Sequence, residues 1–190
     1  MILATSELVK IADSVVESLN LSEIRGASID LAIGETALIP KGGVIDLFEN
    51  ELDLDSMFEP VELAKGYDLK PNSYIYASTA EKITIPQDMC ALLLPRSSFA
   101  RAGLILPMSM YANPGYHGHL PVVIYNASPF TFRIPPYYRI MQMFLIELKG
   151  KALEYGKQLD AKYHDEQPNT TPCFDDFDFE EVLKKLKKYE

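Results

Sequence analysis

The chain opens on a helical pattern and then changes texture. In TSELVKIADSVVESLN (residues 5–20), Leu8, Ile11, Ala12, Val15, Val16 and Leu19 recur at helical spacing with polar residues opposite. That spacing predicts an amphipathic helix. The next stretch, IRGASIDLAIGETALI, alternates and is interrupted by Gly26 and Gly34, which predicts short strands joined by tight turns. From residue 70 to 148 follow SYIYAST (73–79), KITIP (82–86), MCALLL (89–94), LPVVIYN (120–126), FTFRIP (130–135) and RIMQMFLIEL (139–148). Short runs of this kind, punctuated by Pro and Gly, predict an all-β sandwich or barrel in place of alternating βαβ units.

Two stretches break the rhythm. Residues 44–66 are acidic and weakly periodic, compatible with a strand pair or a surface excursion. From residue 164 the chain becomes polar (HDEQPNTTP) and ends in CFDDFDFEEVLKKLKKYE, acids leading and lysines closing, an order that suits a helix dipole. The expected organisation is a β domain with its N-terminal helix over 1–163 and a tail with an amphipathic helix over 164–190, docked through Phe177, Val182, Leu183 and Leu186.

Composition narrows the class. With 190 residues, 47% of them hydrophobic, the chain can build one packed domain. No apolar run approaches the length of a membrane span, and no secretory leader is evident, so cytoplasmic residence is expected. Two cysteines, Cys90 in an apolar run and Cys173 in the tail, make a poor disulfide framework. A net charge of −9 argues against wrapping nucleic acid. A few local arginines can still hold a small anion, because distant charge is screened.

Three constellations could carry chemistry. PRSSFARAGL (95–104) sets Arg96, Ser97, Ser98 and Arg101 directly after an apolar run. A strand feeding a Ser-Ser turn presents N–H and hydroxyl groups together, and the arginines can add bidentate phosphate contacts; a capped turn whose arginines pair with acids is the alternative. ANPGYHGHL (112–120) is a Pro-Gly turn in which Asn113, Tyr116 and Gly118 could frame a pocket with a ring stacked on a sugar. YGKQLDAKYHDEQ (155–167) contributes Tyr155, Lys162 and Tyr163.

In this order the three resemble the dCTP deaminase and dUTPase superfamily, and more closely its deaminase branch. RGASIDLAIG, PRSSFARAGL, NPGYHGHLPVVIYN and Tyr155 with DAKY carry the likeness, which runs from about residue 24 to 167. The resemblance implies a mostly β, distorted jelly-roll (a β-clip) assembled as a homotrimer. Sites for a pyrimidine deoxynucleoside triphosphate would lie between subunits, with Mg2+ carried by the triphosphate. It assigns Arg96, Ser97, Ser98 and Arg101 to phosphate and active-site positions, and Tyr155 and Lys162 to groups closing over the nucleotide. Tyr116 and Gln142 fall at further nucleotide-binding positions, and Asp30 at a structural or metal-side acid.

The departures bear on the chemistry. A zinc route to deamination needs a His/Cys/Cys set, and two distant cysteines exclude it. The resembled deaminases use instead a Glu after the hairpin, where this chain has Val123, and valine transfers no proton. The dUTPase branch uses an Asp where this chain has Asn113. The stretch from Arg101 to Asn113 is one residue shorter than the deaminase pattern, and Glu166 stands at a base-reading Gln, for which Gln167 could substitute. His117, His119 and His164 are candidate replacement bases, surface positions being their commoner fate. Arg101 and Asn113 remain the candidate catalytic groups. The expectations are a dCTP deaminase-like enzyme, a dUTP diphosphatase-like hydrolase, or an inactive dNTP-binding or regulatory protein.

Overall fold

The computed structural model describes residues 1–48, 52–107, 109, 111–159 and 161–174, with 181 and 184 alone beyond them. The predicted C-terminal helix and its docking residues lie outside the described residues, as does Asp160 of the DAKY segment.

Helix α1 spans Thr5–Val15 and buries Leu8, Ala12 and Val15. It stops short of the predicted end. Val16 adopts an extended backbone and bridges Ile83, because a second β-branched residue gains more beside a strand than in another helical turn.

The strands are β1 (Ile29–Pro40), β2 (Phe58–Glu62), β3 (Tyr67–Leu69), β4 (Tyr74–Thr84), β5 (Met89–Pro95), β6 (Leu104–Ile105), β7 (Tyr111–Ala112), β8 (His117–Asn126), β9 (Phe132–Ile134) and β10 (Arg139–Glu147), with a short helix α2 (Ser97–Ala102) after β5. They form an eight-stranded sheet in the order β6-β8-β4-β1-β10-β5-β7, with β2 added onto β1, and a separate β3-β9 pair. All named pairings are antiparallel. The expected jelly-roll class holds.

Strand β1 is the hinge of the architecture. Its first residues, Ile29–Ala32, pair with β10; from Ile33 onward it pairs with β4 and β2. One strand serving two half-sheets must bend, and the register shifts between Leu31 and Ala32 and again between Ile33 and Ala37. Gly34 lies in the second irregularity, where an added Cβ would come to 3.3 Å from the Ser78 carbonyl oxygen. The sequence predicts a turn there; the structure has a bulge, where glycine permits close backbone approach. The two runs at 73–79 and 82–86 likewise merge into the single bulged strand β4. Of the acidic stretch 44–66, the start is exposed loop and Phe58–Glu62 becomes β2.

Residues 164–174 do not hang free as a linker. Asn169 donates to Ser78 Oγ at 3.3 Å and to Thr36 Oγ1 at 2.7 Å, and Thr171 to Asp55 Oδ1 at 2.6 Å. Polar side chains at alternate positions let this strap lie across the sheet, so the boundary expected at 163/164 is not a break in packing.

Candidate functional site

The end of β5 carries the first group of candidates. Burial alternates along β5, with Leu93 inside and Leu92 and Leu94 outside. Arg96 closes the strand: its N–H donates to Ile140 O at 3.0 Å and its guanidinium to Arg139 O at 3.2 Å. The chain then turns into α2, not into the predicted Ser-Ser turn. Gly103 ends the helix at φ +86°, the left-handed conformation that glycine adopts at least cost.

A helix changes which groups converge. Ser97 and Ser98 lie one turn before Arg101, so their exposed hydroxyls share a face with its guanidinium. Arg96, five positions earlier and about 140° around the axis, leaves on another side. It meets Asp30 Oδ2 at 3.6 Å, and Arg25 donates to the same oxygen at 2.8 Å. Asp30 is buried at 2% exposure. The expectation that both arginines converge is therefore corrected: Arg96 is braced by an acid of its own chain, while among the described residues Arg101 makes no ion pair. Asp30 stands opposite Gln142, and Gln142 opposite Leu94, so the acid, the amide and the exposed leucines lie on one sheet face. A cleft of about 270 Å³ opens beside α2, lined by Ser98, Phe99, Ala102, Tyr138 and Ile140.

The second group sits on the hairpin before β8. Tyr116 N–H donates to Asn113 O at 3.1 Å, closing the Pro-Gly turn, and Tyr155 N–H donates to Pro114 O at 2.8 Å. Tyr116 is buried, its hydroxyl bonded to Glu166 Oε2 at 2.9 Å and His119 O at 3.0 Å, with its ring 6.1 Å from that of Tyr155. Burial first, and then the Glu166 carboxylate beside it, push this phenol far above its ordinary pKa. The expected stacking surface is thus an internal brace, because the strap covers the ring. Tyr155 is also buried and accepts from Tyr163 N–H at 3.1 Å. Lys162 donates to Cys173 O at 3.4 Å. Gln167 is exposed and turned onto Asp165 O at 2.9 Å. Glu166, at the position where a glutamine is expected, is buried, and burial raises its pKa to about 7 against the opposing pull of the Tyr116 hydrogen bond.

The unbroken alternation of burial along β8 puts His117, His119 and Val123 on one face. The histidines are nevertheless engaged: His117 with Asp165, and His119 Nδ1 with Thr79 O at 2.9 Å. Val123 lines an apolar pocket of about 360 Å³ with Phe58, Tyr74, Tyr76, Tyr125 and Pro172, with no carboxylate among the described lining residues. Burial raises the Tyr76 hydroxyl pKa above its ordinary range. Sequence reasoning missed this aromatic wall, although Tyr74 and Tyr76 at alternate positions of one strand, facing Tyr125, are its signal. It also passed over Arg25, the closer partner of Asp30.

The two groups stand at opposite ends of β5. Ala112, next to Asn113, pairs with Ala91; Arg96 lies five residues further along, roughly 16 Å in an extended strand. Between them the outer sheet face shows Leu92, Leu94 and Tyr111, each 39–45% exposed.

Comparison with known proteins places this architecture. The chain is 29% identical over 182 residues to a dCTP deaminase, dUMP-forming, of Nanoarchaeum equitans, covering 87% of this chain and 91% of that protein. It is 29% identical over 160 residues to a dCTP deaminase of Pyrobaculum neutrophilum, covering 82% and 90%. Its fold matches the crystal structure of 2'-deoxycytidine 5'-triphosphate deaminase from Agrobacterium tumefaciens with a TM-score of 0.62 at 22% identity, over 76% of this chain and about half (47%) of that one. Among the described residues, no helix is long and apolar enough to cross a membrane. The family profile described as dCTP deaminase-like matches residues 2–148, from the strand-bridging N-terminus through the last strand of the sheet, and the chain belongs to that family.

Proposed function

We propose that this protein acts in pyrimidine deoxynucleotide metabolism, binding a pyrimidine deoxynucleoside triphosphate between protomers of a homotrimer and converting dCTP to dUTP. The observation that carries the proposal is the α2 face, where Arg101 and two serine residues stand exposed, Arg101 without an ion pair among the described residues, next in sequence to a braced Arg96. Fixed donors of this kind suit phosphate oxygens. The groups assigned to closing over the nucleotide, Tyr155 and Lys162, belong with the hairpin at the far end of β5. A site that needs both groups calls for two copies, and the exposed leucines between them are a natural contact surface. Mg2+ rides on the triphosphate in this assignment; among the described residues no three His, Cys, Asp or Glu side chains cluster to hold a metal.

Deamination adds water at C4 and expels the amine as ammonia. Asn113 can orient that water, and Arg101 can steady developing charge; Val123 can do neither. Val123, which transfers no proton, favours a second reading, a protein that binds the nucleotide without turning it over, since general acid–base help is typically worth about 10²- to 10⁴-fold. Incubation with each dNTP and Mg2+, assaying ammonia and pyrophosphate separately, divides the possibilities. Ammonia from dCTP supports the enzyme, and pyrophosphate from dUTP the diphosphatase. Thermal stabilisation by a dNTP without either product supports the binder. No product and no stabilisation by any nucleotide overturns the assignment. Val123→Glu adds a further check: ammonia release appearing only in the variant marks the parent as a deaminase that has lost its acid.

A further inference from the structure

After a turn at residues 162–165, Glu166 lies alongside the His117–Gly118–His119 segment. Gly118 and Glu166 form a parallel bridge, and His119 N–H donates to Glu166 O at 2.9 Å. The approach is so close that an added Cβ on Gly118, whose φ is +138°, would meet Glu166 N at 2.5 Å. Ionisable contacts flank this bridge. His117 Nδ1 pairs with the Asp165 carboxylate, and the Tyr116 hydroxyl donates to Glu166, a buried acid. We propose that these contacts form a pH-sensitive latch, which fastens the strap 164–174 to β8 in acid to neutral solution and releases it as the solution turns alkaline.

Burial of the Glu166 carboxyl sets the direction, and the Tyr116 hydrogen bond opposes it only in part. Burial raises the Glu166 pKa to about 7, so the docked strap retains a proton that a released, solvated Glu166 would give up. By linkage, docking is favoured at low pH and the advantage is lost as pH rises through about 7. The surrounding groups do not reverse this sign. Tyr116 and, on β4, Tyr76 are kept protonated by burial. The His117 hydrogen bond holds the Asp165 carboxyl below its ordinary range, with His164 and Lys82 acting the same way. Tyr163 lies on the side of Tyr76. The latch stands independently of the nucleotide assignment, although the strap follows directly on Lys162 and Tyr163.

Hydrogen exchange on the full chain without nucleotide tests it, at about pH 6 and about pH 8.5, with times corrected for the intrinsic exchange rate. Amides of 165–170 are expected to lose about tenfold protection at the higher pH. Glu166→Gln, which keeps an acceptor for Tyr116, is expected to change less than about twofold between the two. His117→Asn is expected to lower protection at the lower pH. Equal protection of the parent at both pH values, or an undiminished loss in Glu166→Gln, overturns the latch. Gly118→Ala serves as the open reference: strap amides lose protection at both pH values while β10 amides keep theirs. Joint loss from strap and β10 would show the strap to be part of the global fold, and overturns the latch as well.

Discussion

The two candidate regions are built in opposite ways. The arginine end of β5 is anchored in the sheet: Arg96 is tied by its own N–H to β10 and by its guanidinium to Asp30, a buried residue of β1. The hairpin end is completed by a strap laid on from outside, held at Gly118 by one bridge and further along by polar contacts of Asn169, Thr171 and Cys173. The difference teaches what each region can do. Groups fixed to several strands can hold charge in one geometry without a ligand, whereas a strap with few buried apolar contacts belongs to the low-stability end of the molecule, where opening is affordable.

The largest test of this contrast lies behind α2. Asn126 is fully buried, donates to Leu69 O at 3.1 Å and Phe130 O at 2.6 Å, and accepts from the N–H and hydroxyl of Ser128. Ser128 in turn packs against Gly103, the end of the helix. Asn126→Ala takes the donor from the buried Leu69 carbonyl and from the part-buried Phe130 carbonyl and should cost about 3 kcal/mol in chemical denaturation. Strap protection should fall no further than that of the sheet. Asp30→Ala comes next, at about 2 kcal/mol, below the usual cost of breaking a buried pair because Arg25 and Arg96 still reach water. A loss under about 0.5 kcal/mol would mean that the arginine end is not braced as described.

How far these regions were legible follows from the same contrast. The strands announce themselves through alternation that one buried face imposes, so β5, β8 and β10 fall within three residues of their predicted limits. The conformation of RSSFARA does not. Serines suit a turn as well as a helix start, and what selects α2 is Gly103 closing it against Ser128, a contact 25 residues away in sequence. By sequence Tyr116 is a ring open to ligand, because nothing local signals that residue 166 returns to bond its hydroxyl. The aromatic wall around Val123 needs β2, β4 and β8 brought together before it exists.

Acids on the two sides of the comparison make the next prediction. Glu81, on β4, accepts the Ala32 N–H through both carboxylate oxygens, at 3.0 and 3.1 Å, and burial raises its pKa to about 7 despite those bonds. A raised carboxylate pKa means that the folded state binds protons the unfolded state has released. Its contribution is therefore full below about 4.5 and is lost as pH rises through about 7. Because β4 is central, the loss should appear in global stability, on the order of 1–2 kcal/mol between these limits. Glu81→Gln should flatten that slope, measured as the denaturation midpoint against pH. Glu166→Gln should leave the global slope nearly intact and flatten only the strap's exchange. If Glu166→Gln flattens the global slope instead, the strap folds with the sheet and the two regions are mechanically one.

The smallest effect is expected at the far end of the strap. Thr171 and Asp55 are bonded through side chains near the surface, Asp55 exposed, and water can replace either partner when the other is removed. Thr171→Ala should therefore shift global stability by no more than about 0.5 kcal/mol. It should still raise exchange at residues 170–171, while Cys173 stays held through its N–H, which donates to the Tyr163 hydroxyl at 2.8 Å. Asn169 supplies the contrast within the strap: its amide donates to Thr36 of the bending strand β1 while its Oδ1 is buried without a partner. Asn169→Ala removes that unpaired oxygen together with a good bond, so its cost to docking should exceed that of Thr171→Ala only modestly. Were Thr171→Ala to prove the more damaging, the strap would be fastened from its exposed end inward, and the bridge at Gly118 would be a consequence of docking and not its anchor.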